Sequence, residues 1–460
     1  MNKTAEFFKE ITKIPRPSGK EDKIAGFLCE FAKNNGLECF RDELNNVIIK
    51  KNNGSKKTII LQGHTDMVCV AEKGKIKNFE EEGIEYFVDG DFIKAKGTSL
   101  GADNGIGVAV ILSVLCEEEK GLPNIEAVFT VQEETTMAGA ENLDYSKLSG
   151  KTLLSLDGDR EGVLEVSSAG MCTIELKKKL RELKEPKGIN IYNIEIDGLM
   201  GGHSGDDIHR NRFNAIELMG KILREIDPFG IITLFGGERV NVIPSSASCT
   251  FASTKSAGEI SYVCSQYREQ DEENGKNPNI LSSVLEKIDW KVYREDDAVK
   301  FITEFSHGVN KADKTGFPII SQNMGMVRFS DGVVTLSTSL RSSDKKLEEK
   351  ELEKLQKLAE KYGFKYKLLV KNPFFAYNSK SKLRKSLHEA YHKLYGKEAK
   401  ERHIHACVEG GVIAGHIDGL DMCVIAPDVY DLHSVSERVS VSSVSRVYEW
   451  VMETLRNFAK

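Results

Sequence analysis

Two adjacent acids, Glu133 and Glu134, follow an apolar run at residues 125–131 in IEAVFTVQEETT. That run is rich in β-branched and aromatic residues and is bounded by Pro123 and Asn124, so it predicts a buried strand ending at the pair. Like charges at the end of an apolar strand are costly unless a cation stands opposite, which points to a metal and to other residues able to hold it. Taken alone, the pair also reads as solvent-facing charge capping the next helix. A second apolar run, residues 58–62, leads into Gly63-His64-Thr65-Asp66. A histidine just past a strand sits where open α/β sheets hold their ligands. A carboxylate two residues on can accept the imidazole N–H that does not face a metal, fixing the tautomer. HxD also arises by chance, so the spacing needs partners elsewhere.

The chain supplies them. GTSLGADNGIG, residues 97–107, is a glycine-rich loop before a helix, but it lacks the GK[ST] ending of a phosphate loop and carries Asp103 at the helix start. The helix dipole keeps such a carboxylate ionised, and the glycines around it admit close neighbours. This suits bridging a metal better than cradling phosphate, although a plain N-cap before the apolar helix 104–117 explains Asp103 as well. An apolar strand at 151–156 ends at Asp157, and DLHSVSERV places His433 just before an amphipathic helix at 441–458. Three strand ends and one helix start thus bring His64, Asp103, Glu133, Glu134 and Asp157 to one edge of a sheet, with His433 a sixth candidate at a strand-to-helix boundary.

The positioning elements follow from periodicity. A helix is expected at 4–15, stopped by Pro15 and Pro17, and a second one begins at a capping-box pattern, Ser18 and Glu21, and stops at Gly36. Strands at 46–50 and 58–62 flank the turn Asn52-Asn53-Gly54, and residues 70–97 suggest a hairpin or excursion. Near residue 170 the pattern changes to period-two alternation at 171–179 and 189–197, as in half-exposed antiparallel strands. This second region continues with helices at 214–226, 257–269 and 280–288, strands near 231–252 and at 333–340, and a solvated helix at 344–362. A helix at 379–395 opens the return. The division is therefore 1–169, an insert at 170–375, and 376–460 completing the first domain. The insert carries His203 in GGHSG, Asn241 in VNVIP, and Arg341, whose planar fork fits a carboxylate. HIHACVEGGVIAG offers His405, Glu409 and a Gly410-Gly411 loop. Any one of these alone reads as surface or turn chemistry.

At 460 residues the chain exceeds one ordinary domain, and 40% apolar residues suffice for two cores. A net charge of −6 with dispersed basic residues gives no stripe for nucleic acid or a membrane surface, leaving a small-molecule partner. Nine cysteines occur singly with no CxxC pair, which reads as a reduced, cytoplasmic protein. No apolar run reaches the roughly 18 residues of a membrane span.

GHTDMV, GTSLGADNGIG, QEET, LDGD, GGHSG and DLHSVSERV, in that order over nearly the whole chain, resemble the co-catalytic zinc peptidases of the carnosinase and carboxypeptidase G group. The Ala-Asp-Asn-Gly-Ile-Gly form of the second motif resembles the aminoacyl-histidine dipeptidase branch, also called peptidase D or cytosol non-specific dipeptidase. The resemblance implies an α/β zinc-peptidase catalytic domain, a mixed sheet flanked by helices, with an inserted α+β lid domain that forms a homodimer. It implies one zinc held by His64, Asp157 and Asp103, and another by His433, Glu134 and the bridging Asp103. Asp66 would clamp His64, and Glu133 would be the general base toward a metal-bridging water. His203 of the partner subunit would hold the oxyanion, and Asn241, Arg341, Glu409 and Gly410 would hold the ends of the peptide. Three liganding carboxylates against two divalent ions leave one positive charge, which a hydroxide neutralises. These donors also suit manganese or cobalt. The implied activity is hydrolysis of dipeptides, Xaa-His and broader unblocked ones. Alternatives are a tripeptidase or N-acyl-amino-acid hydrolase with the same metals, a non-catalytic binding protein on this fold, and a nucleotide-binding protein, which the missing phosphate-loop lysine opposes.

Overall fold

In this computed structural model the described residues are 3–184, 188–267, 278–286, 291–294 and 296–460. The chain divides into two compact units, one formed by Met1–Ser168, Phe375–His403 and Val408–Lys460, the other by Ala169–Phe374 and Ile404–Cys407. Residues 404–407, expected in the returning segment, thus belong to the second unit.

The first unit holds an eight-stranded mixed sheet. Its order is Glu38–Arg41, Val47–Lys51, Asn124–Thr130, Thr58–His64, Thr152–Ser155, Asp421–Val424, Val163–Ser167 and Lys400–His403. The four strands from Asn124–Thr130 to Asp421–Val424 run parallel to one another. Their near-continuous apolar runs, TIILQ and IEAVF among them, are buried on both faces, as central parallel strands require. Parallel strands end on the same side, so three of them discharge into loops at one rim. Helix Ala102–Leu115 is apolar all round and almost wholly buried. The returning segment is built into the same core. Trp450 of helix Val441–Ala459 is fully buried, donates its indole N–H to the Leu387 carbonyl at 2.9 Å and packs on Tyr391.

In the second unit a nine-stranded sheet is antiparallel throughout. Strand Gly170–Lys179 alternates buried and partly exposed residues along most of its length, and helices Ala215–Ile226 and Lys345–Lys361 contribute to the core on one side of this sheet. No helix among the described residues is long and apolar enough to cross a membrane.

Several expectations are corrected. Strands Val47–Lys51 and Thr58–His64 do not pair across the Asn52-Asn53-Gly54 turn; Asn124–Thr130 lies between them. The helix expected at 280–288 is an edge strand, Asn279–Leu285, with residues 287–288 outside the described residues. Seven consecutive pairings with Asn190–Asp197 override local helix preference there, burying Ile280 while Leu281 and Val284 remain 51% and 58% exposed. Helix Asp22–Asn34 has no side-chain cap, because Ser18 and Glu21 bond elsewhere. The Gly410-Gly411 loop is the first turn of helix Glu409–His416. Strands Glu38–Arg41, Gly308–Ala312 and Pro318–Ser330 and helix Asp296–Glu304 had no counterpart in the sequence reading.

Glycine placement offers a stability test. A Cβ on Gly107 would fall 2.6 Å from the Leu156 carbonyl oxygen, whereas one on Gly26, in helix Asp22–Asn34, meets nothing. Gly107→Ala is expected to lower stability by about 1–3 kcal/mol and Gly26→Ala to leave it unchanged or raised by about 0.5–1 kcal/mol, read as chemical unfolding midpoints.

Candidate metal centre

His64 ends its strand with the ring buried. Its Nε2 lies 3.1 Å from Asp103 Oδ1 and 3.3 Å from Asp157 Oδ1, and its Nδ1 lies 3.3 Å from Asp66 Oδ1. His433 Nε2 lies 3.1 Å from Asp103 Oδ2 and 3.0 Å from Glu134 Oε2. The two oxygens of Asp103 therefore face two different imidazoles. Three groups bring one donor atom from each member within 4.8 Å of one another: His64, Asp103 and Asp157; Asp103, Glu134 and His433; and His64, Glu133 and Glu134. Donors about 2 Å from a common tetrahedral ion stand roughly 3.3 Å apart, which these nitrogen–oxygen separations match. Among the described residues, no lysine or arginine lies within ion-pair distance of Asp103, Glu133, Glu134 or Asp157. Imidazoles and carboxylates in this array fit a pair of divalent ions.

The charge balance without a cation supports that fit. Burial alone would raise the Asp103 carboxyl, but its bonds to His433 and His64 outweigh burial and hold it well below the usual range. Bonds to Asp103 and Glu134 lift the His433 imidazole to about 10. Burial pushes Asp157 up to about 6 and Glu133 well above an ordinary glutamate; neighbouring acids push the same way and His64 opposes them. The imidazoles thus take up the positive charge that the acids demand.

Supporting residues fix this geometry. Asp66 is fully buried and accepts the Ser18 hydroxyl at 2.7 Å and the backbone N–H groups of Glu133 and Glu134 at 3.0 and 3.2 Å. One carboxylate therefore orients both His64 and the acid pair. Glu133 Oε2 stands 4.0 Å from His64 Nε2, farther than Asp103 or Asp157. Asp103 itself has non-helical backbone angles inside its helix, and Asn104 donates to the Leu156 carbonyl at 2.7 Å, just before Asp157. The local sequence marks Ser18 only as a helix cap and gives no sign of what Asn104 and Glu437 support. A polar residue buried beside a motif is the signal that would have found them, and burial is not visible in a single sequence.

Glu409 and Gly410 stand differently from expectation. Glu409 is fully buried, and its Oε2 accepts Gln62 Nε2 at 2.7 Å and the Thr130 hydroxyl, while burial raises its carboxyl to about 8. Gly410 packs against the end of the Met422 side chain, which a Cβ would displace. Both are interior groups of the first unit.

The second unit gathers the remaining candidates. His203 lies in a two-stranded ribbon with Val242, the Asn241 carbonyl accepts Ser204 N–H at 2.9 Å, and the buried Arg341 reaches Ser204 Oγ at 3.3 Å and His203 Nε2 at 3.4 Å. His405 is buried with Nε2 2.7 Å from Ser321 Oγ, and burial, with the Arg341 charge, pushes its imidazole down to about 3. An unfolded histidine binds a proton near pH 6.5, so between about 6.5 and 3 the unfolded chain binds more protons and stability is lost as pH falls. Replacing His405 with Gln is expected to flatten that decline by up to about 1.4 kcal/mol per pH unit, measured by urea unfolding at pH 7, 6 and 5. A decline identical to that of the wild type would show that His405 is not held neutral.

With the geometry in place, comparison adds lineage. Residues 60–457 match the model for peptidase family M20/M25/M40. The chain is 30% identical over 471 residues to the cytosol non-specific dipeptidase of Escherichia coli (strain K12), covering 98% of this chain and 96% of that one. The crystal structure of aminoacylhistidine dipeptidase from Vibrio alginolyticus matches with a TM-score of 0.85 at 28% identity, over 98% of this chain and 96% of that one. A tripeptidase from Staphylococcus aureus subsp. aureus mu50 shares the fold, with a TM-score of 0.62 at 17% identity over 99% and 98% of the two chains. A match this extensive, on a sheet whose rim gathers these acids and imidazoles, makes the protein a member of peptidase family M20/M25/M40.

Proposed function

We propose that the chain is a metal-dependent dipeptidase acting on unblocked dipeptides, Xaa-His among them, in the cytoplasm. The observation that carries this reading is Asp103, whose two carboxylate oxygens each stand 3.1 Å from a different imidazole. The whole-length relatives bear the names cytosol non-specific dipeptidase and aminoacylhistidine dipeptidase, which favours dipeptides over longer peptides and N-acyl amino acids.

His64, Asp157 and Asp103 would hold one ion, and Asp103, Glu134 and His433 the other, with zinc the expected metal and manganese or cobalt also compatible. Such a pair supplies Lewis acidity at the scissile carbonyl and acidifies water. The Asp66 carboxylate, 3.3 Å from His64 Nδ1, would hold the ring in place. Glu133, outside both Asp103 groups, takes a proton from the attacking water and returns it to the leaving amine. The first unit is assigned as the catalytic domain and the second as the lid and dimerisation domain. Within the latter, Arg341 would grip the peptide's terminal carboxylate and Asn241 would align the backbone, while His203 of the partner subunit would steady the oxyanion.

Elemental analysis of purified protein is expected to find two divalent ions per chain. Chelation should abolish hydrolysis of glycyl-histidine, and added zinc should restore it, in an assay run beside tripeptides and N-acyl amino acids; a metal-free preparation retaining full activity would reject the reading. Glu133→Gln should lower kcat by about 10²–10⁴-fold while both ions stay bound. Wild-type turnover in that variant would remove Glu133 from its role.

A further inference from the structure

Beyond the donors themselves, one buried carboxylate ties their segments together. Glu437, 2% exposed, lies four residues after His433 and points into the turn that carries Asp103. Its Oε2 accepts the N–H groups of Leu100 at 2.7 Å and Gly101 at 2.9 Å, and its Oε1 those of Ala102 at 2.8 Å and Asp103 at 3.2 Å. Four consecutive backbone donors converge on one side chain from a segment more than 300 positions away. The turn is held on another side by Arg16, also 2% exposed, which donates to the Thr65 and Asp66 carbonyls at 2.9 Å each and to the Gly101 carbonyl. A Cβ on Gly101 or Gly105 would fall 2.5 or 2.6 Å from the Arg16 guanidinium, so those glycines make room for it.

These bonds form a chain of constraints. Arg16 joins the His64–Asp66 strand end to the Gly101 turn, and Glu437 joins that turn to the segment bearing His433. His433 sits with φ 59° and its side chain about half exposed, so little packing holds it from the outside. We propose that Glu437 is a positioning residue that sets the spacing of Asp103 and His433, and so the affinity of the Asp103–Glu134–His433 group for its ion. This rests on the metal reading above. His64 ends a buried strand and Asp157 follows another, neither touching Glu437, whereas His433 is carried on the segment of Glu437 itself, so the larger effect falls on the Asp103–Glu134–His433 site.

The test uses full-length protein stripped of metal and titrated calorimetrically with zinc, then with cobalt followed by its visible absorption. In Glu437→Gln, an amide oxygen replaces one acceptor and an N–H₂ group faces donors, so about half of the bonds are lost. One ion is expected to weaken by about 10- to 100-fold with the other much less affected, and kcat should fall with KM nearly constant. Glu437→Asp keeps the charge but retracts it by one methylene; it should show the same selective loss to a smaller degree and stands in if the amide variant loses its cooperative thermal transition. Two ions bound with wild-type affinity, or equal weakening of both in a folded variant, would overturn the inference alone. Wild-type protein that takes up no ion would overturn the metal reading and this inference with it.

Discussion

Acid crowding at one rim is the constraint on which the rest depends. Asp103, Glu133, Glu134 and Asp157 converge at one rim, and the described cations within reach are two imidazoles. A buried charge without a partner costs several kcal/mol, so a fold that assembles four carboxylates in this way does so for an external cation. The surrounding structure resists the natural relaxation, in which the acids would separate or turn to solvent.

That resistance comes from elements chosen for rigidity. Parallel strands Thr58–His64, Asn124–Thr130 and Thr152–Ser155 are locked by register, so their ends cannot drift apart without breaking the ladder. The glycine-rich motif is a packing device as much as a loop. Gly63 and Gly107 border the Asn104 amide, and Gly101 and Gly105 border the Arg16 guanidinium. Two buried polar side chains thus fill the space that Cβ atoms would otherwise occupy, and each returns hydrogen bonds to carbonyls beside the donors. Asp66 works similarly, orienting an imidazole and two backbone N–H groups at once.

The second unit follows a different logic. Its antiparallel sheet has one face in a core of its own, and its polar cluster of His203, Ser204, Arg341 and His405 is built around one buried guanidinium, with Asp206 3.1 Å from His203 Nδ1. The Arg341 guanidinium there is buried against the Ser204 hydroxyl and the His203 ring. The apolar alternation at residues 171–179 and 189–197 made this unit legible as antiparallel, but it did not show that residues 404–407 belong with it, since membership depends on long-range contacts.

Sequence alone placed His64, Asp103, Glu133, Glu134 and Asp157 at or just past element ends, because apolar runs and their punctuation are local signals; His433, expected at a strand-to-helix boundary, lies instead in the turn between strands Val429–Tyr430 and Arg438–Ser440. Sequence determined the central strands for the same reason. Tertiary structure decided what neighbours those residues meet. It turned Ser18 from a helix cap into a support of Asp66, drew Glu409 from an expected loop into the interior, and made residues 279–285 an edge strand. It also brought Glu437 and Arg16 against the Asp103 turn. Each of these outcomes depends on a partner many residues away, and hydrogen bonds formed on burial leave no period, cap or motif in the local sequence from which to read them.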